Sequence, residues 1–216
     1  MKSTKLFEII LCLAMLSASV TPQQKSTFKP DLSHSASIGA WILDGSGSWN
    51  ILKGKLVLAK AGVPSGPIRR PAALAILKTK SFRRVTVEAD IRSTAPLDTV
   101  RRDLDVIVGY ESPSRFYYIH LAGISDNVHN GIFLVNNANR LRIDGGKGRP
   151  QLEDSTWHHI RVERDGSTGQ IEVFMDRSKA PVLEARDTTI CCGSVGFGSF
   201  DDTGEFRHIV IEGIKK

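Results

Sequence analysis

An all-β chain, a two-sheet antiparallel jelly-roll sandwich, is what this sequence predicts. Three observations carry it. Short alternating apolar/polar runs follow one another from about residue 49 to residue 212. Turn-forming residues separate them, and no stretch holds a 3.6-residue period. About a dozen short strands without intervening helices describe a sandwich or barrel, and the absence of a fixed-period repeat argues against a propeller.

The elements read in order as follows. Residues 1–20 form a signal peptide: Lys2 and Lys5 give a positive start, Ile9 to Leu16 is apolar, and Ser17-Ala18-Ser19 supplies small residues for cleavage. That run is too short to anchor in a bilayer, so the mature chain is expected to be secreted or periplasmic, with no membrane association once the leader is gone. Residues 21–38 are a polar lead-in, and residues 39–216 the sandwich. Trp49 to Leu52 and Lys55 to Leu58 flank Lys53-Gly54, a two-residue hairpin signal. Strands are then expected at Ala73 to Thr79, Val85 to Arg92, Leu104 to Glu111, Phe116 to Ala122, Gly131 to Asn136 and Arg140 to Asp144. Four more follow, at His158 to Arg164, Ile171 to Met175, Ser194 to Phe200 and Phe206 to Glu212. Ser112-Pro113-Ser114, Asp144-Gly145-Gly146 and Asp165-Gly166 mark turns between them.

Charge and cysteine content bound the function. Removing the leader's two lysines and one glutamate takes the net charge from +6 to +5. That balance favours an acidic partner or simple solubility; an exported chain with no Lys/Arg-rich helix is not expected to bind nucleic acid. Cys12 goes with the leader. Cys191 and Cys192, being adjacent, cannot staple distant parts of the fold, and they read as two strand residues facing opposite ways.

The order of motifs then resembles a known group. "LKTKSF", "VTVEADIR", "DVIVGYESPSRFYYIHLA", "STWHHIRVERDGSTGQIEVFMD" and "GSVGFGSFDDTGEFRHIVIEG" look like the concanavalin A-like lectin/glucanase superfamily, which includes laminin G-like modules. Within it the chain is similar to exported bacterial 3-keto-disaccharide hydrolase, or glycoside-hydrolase-16-like, domains. The resemblance covers roughly residues 40 to 213 and implies a carbohydrate partner, an oligosaccharide or polysaccharide. The Glu-x-Asp-x-x-Glu strand of the superfamily's glucanases does not occur, so the paired carboxylates of a retaining glycosidase are not in evidence. A structural calcium site is a further implication, with Asp44, Asp201 and Asp202 as candidate oxygen ligands.

Strand parity nominates the chemistry. Leu104, Val106 and Val108 share one face of their strand, and Asp103, Asp105 and Ile107 the other. On the next strand Tyr117, Ile119 and Leu121 oppose Phe116, Tyr118 and His120. Paired as a hairpin, the two strands put Asp105, Tyr118 and His120 on one concave surface, where an aromatic ring and fixed polar groups suit a sugar. His120 or Tyr118 would then act as acid/base with Asp105 orienting the histidine, and Asp103, His129 and Asn130 would contact substrate. Arg69-Arg70 and Arg101-Arg102 are turn clusters that either solubilise the chain or grip an anionic sugar. Three functions stay open: an enzyme that cleaves or modifies a glycosidic linkage (possibly by elimination, as a polysaccharide lyase), a non-catalytic carbohydrate-binding or adhesion module, and a structural envelope protein.

Overall fold

A computed structural model describes residues 24–78, 81–146, 148–149 and 151–215. The expected leader and Thr79 lie outside the described residues.

Among the described residues, fifteen strands make two antiparallel sheets. In chain order they are β1 (Lys25–Phe28), β2 (Trp41–Gly45), β3 (Ser48–Leu52), β4 (Lys55–Lys60), β5 (Ala73–Leu77), β6 (Phe82–Ser93), β7 (Asp103–Ser112) and β8 (Arg115–Ala122). Then follow β9 (Gly131–Asn136), β10 (Leu141–Arg142), β11 (His158–Asp165), β12 (Gln170–Met175), β13 (Leu183–Arg186), β14 (Ser194–Ser199) and β15 (Gly204–Lys215). The only helical element among the described residues is a 3-10 turn at Ser35–Ala40. One sheet runs β13-β12-β11-β6-β15-β4-β3, with β1 added against β15; the other runs β10-β9-β8-β7-β14-β5-β2. The polar lead-in therefore contributes a strand of its own, and β13 joins the sheet through Gln170↔Arg186 to Val173↔Leu183.

The jelly-roll sandwich is the architecture observed, and alternation builds its core. Val106, Val108, Ile119, Leu121 and Phe197 of the second sheet meet Ile160, Val162 and Phe206 of the first, all fully buried in one cluster. At about 25 cal/mol per Å² of apolar surface, each such side chain contributes roughly 1.5–3 kcal/mol relative to exposure. Lys53 and Gly54 both take positive φ, 50° and 74°, which suits the two-residue β3–β4 turn.

One feature was not expected. The far face of the β10–β2 sheet is apolar too: Leu74, Ile76, Ile107, Tyr110, Phe116, Tyr118, Phe133, Val135 and Phe200 form a second buried cluster. Strands β7 and β8 are thus buried on both faces along most of their length. The expected open sugar platform does not exist there, because loops and arginines cover it.

The cysteines also differ from expectation. Cys191 and Cys192 lie in the loop before β14, not in a strand, and are bonded to each other. Cys192 is buried and Cys191 exposed. The buried Arg164 holds this loop by donating to the carbonyls of Ile190 and Cys191. A buried cation satisfied by main-chain oxygens costs less than one left unpaired.

Candidate functional site

The β7–β8 hairpin sets the site's floor. Asp105 is registered opposite His120, and Ile107 opposite Tyr118. His120 Nδ1 lies 2.8 Å from Asp105 Oδ1 and 3.6 Å from an Asp103 oxygen. Both residues of the close pair are sealed from solvent, His120 at 2% and Asp105 at 0% exposure. Asp105 Oδ2 has no hydrogen-bond partner among the described residues. Gly198 on β14 makes room beside this pair: a Cβ there would fall 2.7 Å from a Leu74 methyl and 2.8 Å from the Ala73 carbonyl oxygen.

Burial decides the protonation states. It lowers His120 to about 4, against the opposing pull of Asp103. It raises Asp103 and Asp105 well above the ordinary carboxylate range, although His120 opposes the first shift and Arg140 the second. Burial thus disfavours the charged form of all three side chains, and the His120 imidazole is neutral at ordinary pH. With Nδ1 committed to Asp105, the other ring nitrogen, Nε2, is left for a ligand.

Loops complete a cleft over this floor, lined by Arg69, Arg101, Asp103, His120, Val128, His129, Arg140, Phe200 and Asp201, with a volume of about 190 Å³. The Phe200 ring stands edge-on to His120 with centroids 5.3 Å apart, and the His129 ring stacks on His120 at 5.6 Å. His129 Nδ1 is 2.9 Å from Asp126. Arg142 fixes the loop bearing His129 by gripping Asp144 through two nitrogens and donating to the carbonyls of Asp126, His129 and Asn130. The guanidinium lies so close to the chain at Gly131 that a Cβ there would come within 2.7 Å of it.

The nominated residues part company here. Asp103, His120, His129 and Asp201 line the cleft. Asp105 supports His120 from beneath. Tyr118 corrects the expectation of a stacking surface: it is 0% exposed, packed on Phe133 at 5.2 Å, and its hydroxyl accepts from Arg140 at 3.1 Å. Burial raises its pKa well above the ordinary phenol value, which unsuits it to proton transfer. Asn130 does not reach the cleft either; fully buried, it donates to the Arg149 carbonyl and anchors the loop from below. The two arginine pairs divide: Arg69 and Arg101 face the cleft, while Arg70 binds Asp44 and Arg102 turns back to Glu153 and Ser155. Arg140 and Phe200, undistinguished in the sequence, are as central as any nominated residue.

The calcium expectation meets the residues in part. Asp44 is held by both terminal nitrogens of Arg70, at 2.8 and 3.1 Å, and joins no ligand cluster. Asp201 and Asp202 instead gather with Asp103, all with a ligating oxygen within 4.8 Å of the others, and Asp103 also groups with Asp105 and His120. Three carboxylates, with the unpartnered Asp105 oxygen alongside, fit a hard divalent cation that takes oxygen ligands.

Two other depressions are larger, and each holds an ion pair or one member of an ion pair. A hollow of about 230 Å³ contains Arg84 and Asp165, which neutralise each other. One of about 430 Å³ is framed by loop backbone at Gly145 and Pro181, its Asp144 already taken by Arg142.

No protein-family model and no curated protein matches the sequence. Solved structures do match in fold. A carbohydrate-binding module from Bacillus subtilis superposes with TM-score 0.56 at 15% identity, over 80% of this chain and 95% of that one. The metal-free carbohydrate recognition domain of Emp46p gives 0.52 at 14%, over 83% and 90%. A Bauhinia forficata lectin in complex with GalNAc gives 0.53 at 15%, over 88% and 98%. At these identities the likeness is one of fold, that of a two-sheet antiparallel sandwich.

Proposed function

We propose that this chain is a carbohydrate-binding domain whose site is the cleft above His120 and Phe200. The observation that carries this reading is the floor itself: a neutral imidazole, oriented by a buried carboxylate, beside an aromatic edge. Few fixed polar groups beside an apolar surface is the mixture a sugar ring needs. The volume, below the ~300–1,000 Å³ of ordinary ligand pockets, suits one terminal sugar unit rather than an embedded chain. The three structural neighbours described above carry names that refer to carbohydrate binding or to a lectin, which supports a saccharide ligand. A bound calcium ion would be held by Asp103, Asp201 and Asp202 and would supply a fixed positive charge at the cleft edge. Export through the leader of residues 1–20 belongs to the same proposal; N-terminal sequencing of the released protein tests it.

A second reading, catalysis, rests on one observation: His120 and Asp105 form a base and orienter pair with Nε2 free. The two-carboxylate glycosidase gains no support, since Asp105 is sealed and Asp103 already accepts from Phe200 N–H at 2.9 Å and from the Ser199 hydroxyl at 3.3 Å.

Calorimetric titration with a panel of mono- and disaccharides, with and without calcium, tests the proposal. His120→Ala and Phe200→Ala should each abolish binding. Turnover of any sugar by the wild type, lost in His120→Ala, would promote the catalytic reading instead.

A further inference from the structure

Among the described residues, seven arginines are spent on carboxylates, and Arg102 and Arg164 on main-chain oxygens. Arg70, Arg84, Arg92, Arg115, Arg142, Arg161 and Arg207 each hold an aspartate or glutamate. Arg69, Arg101 and Arg140 hold none among the described residues, and all three line the same cleft. Unpaired guanidinium groups in general favour a surface where water surrounds them. Here two of the three are placed by the fold. The Arg140 N–H donates to the Arg69 carbonyl at 3.1 Å, and the Arg69 N–H to the Asn139 side-chain oxygen at 2.8 Å, so two loops distant in sequence are stitched across the sheet. Both guanidinium groups then lie over the Phe200 ring, at 4.3 Å for Arg140 and 5.7 Å for Arg69. Arg140 is further fixed by its bond to the Tyr118 hydroxyl. Arg101 enters from the loop before β7, and its side chain holds no carboxylate among the described residues.

We infer that Arg69, Arg101 and Arg140 form an oxyanion subsite that binds the acidic group of a negatively charged saccharide. The inference rests on the carbohydrate reading of the cleft and adds the sugar's charge to it. Two carboxylates, Asp103 and Asp201, share this lining. Asp103 spends its oxygens on Phe200 N–H and Ser199, which leaves Asp201 as the exposed carboxylate of the lining. Guanidinium forks match the two oxygens of a carboxylate and also the oxygens of a sulfate ester. Arginines already stacked on a ring have lost part of their rotamer freedom, so less is lost when a ligand arrives. The apolar side of the cleft, Phe200 and Val128, is left for the ring of the same sugar.

The test compares ligands that differ only in charge. A trigalacturonate, its carboxyl-reduced neutral counterpart, a sulfated galactose oligomer and inorganic sulfate are titrated into the mature chain at about 30 and about 300 mM NaCl, where screening differs roughly threefold in length. The acidic trimer should bind at least ~10-fold more tightly than the neutral one, with the gap shrinking at high salt. Arg69 and Arg101 are both exposed, so the double variant Arg69→Ala/Arg101→Ala should fold normally. It should lose about 10–100-fold for the acidic trimer, the worth of charged hydrogen bonds, and much less for the neutral one, so that the preference for charge collapses. Preference for the trigalacturonate or for the sulfated oligomer identifies the acidic group. Equal affinity for charged and neutral trimers, unmoved in the double variant, would overturn the inference and leave the carbohydrate site standing. Binding of inorganic sulfate as tight as that of the oligomers would keep the subsite and defeat the sugar reading. No binding of any probe defeats both.

Discussion

The outer faces of the two sheets are built from similar residues and do opposite things with them. On the β13–β3 sheet, charges neutralise one another. Glu205 bridges Lys55 and Arg92, and Asp90 accepts from His159, Arg207 and His208. Trp157 lies between Arg92 and Arg207, at 4.7 and 4.0 Å. On the β10–β2 sheet, the arginines stand over aromatic rings, the carboxylates are buried, and a histidine between them stays neutral. The first arrangement is a solvated surface whose pairs saturate each other. The second leaves both donors and an acceptor unspent, which is the condition for recognising something else.

That contrast breaks most readily at the aromatic rings. If the far face of the β10–β2 sheet is a true second core, Phe133→Ala should cost about 3–5 kcal/mol, as a buried Phe truncation does. Trp157→Ala on the opposite sheet should cost at most about 1–2 kcal/mol, since mainly cation–π and stem contacts go. Urea unfolding of the two variants gives both values. Comparable losses would show that the two faces are not different in kind.

A smaller effect sharpens the comparison at His120. A strand histidine expected to face outward would support little packing, but here it is sealed against Asp105. His120→Ala should therefore destabilise by about 1–3 kcal/mol by stranding a buried carboxyl. Adding Asp105→Ala should cost little more, because the two act as one unit. On the other face, Glu205→Gln weakens two partly buried pairs and should cost no more than about 1 kcal/mol, with sugar affinity untouched. A cost for Glu205→Gln above that for His120→Ala would invert the argument.

Much of this is legible in the sequence. Alternation puts Leu104, Val106 and Val108 in the main core and Asp105 on the same face as His120, while their direct pairing depends on a register shift between Val108 and Ser112 that the sequence does not signal. Alternation says which face a side chain takes and nothing of what covers that face. Tyr118 was thus read as open, yet it lies under Arg140, which arrives from a loop more than twenty residues away. The same limit hid the site's arginines. Arg101 and Arg102 are neighbours of one type, but the chain turns into β7 at Asp103, so one faces the cleft and the other is drawn to Glu153. Strands β1 and β13, "KSTF" and "LEAR", escape a search for apolar alternation because they are short and polar. They pair through their backbones at the β13–β3 sheet.

The smallest expected effect concerns pH, and it tests the claim that charges outside the cleft serve stability alone. His158 sits between Asp154 and Asp176, with ring nitrogens 3.0 and 2.9 Å from their oxygens. Burial pushes its pKa down, but the hydrogen bonds and charges of Asp176 and Asp154 outweigh this, and the net shift is upward from 6.5. The sign follows from linkage. A raised folded-state pKa means the folded protein holds its proton more tightly than the unfolded chain between the unfolded value of 6.5 and the higher folded one. The stabilisation is complete below 6.5 and disappears as pH rises through the folded pKa. Both aspartates are about half exposed, so the effect belongs with surface pairs, at about 0–1 kcal/mol. The measurement is the stability difference between wild type and His158→Gln, by urea unfolding from pH 5 to pH 9. Taking the difference cancels the titration of His120, which runs the opposite way because its pKa is depressed to about 4. Wild type should lead at pH 5 to 6 and lose that lead above neutrality. Saccharide affinity should be the same in both proteins at each pH. A lead that grows with pH would reverse the sign of the His158 shift. A change in sugar binding would mean that the face carrying Trp157 and His158 is coupled to the cleft, and the contrast between the two sheets would then have to be abandoned.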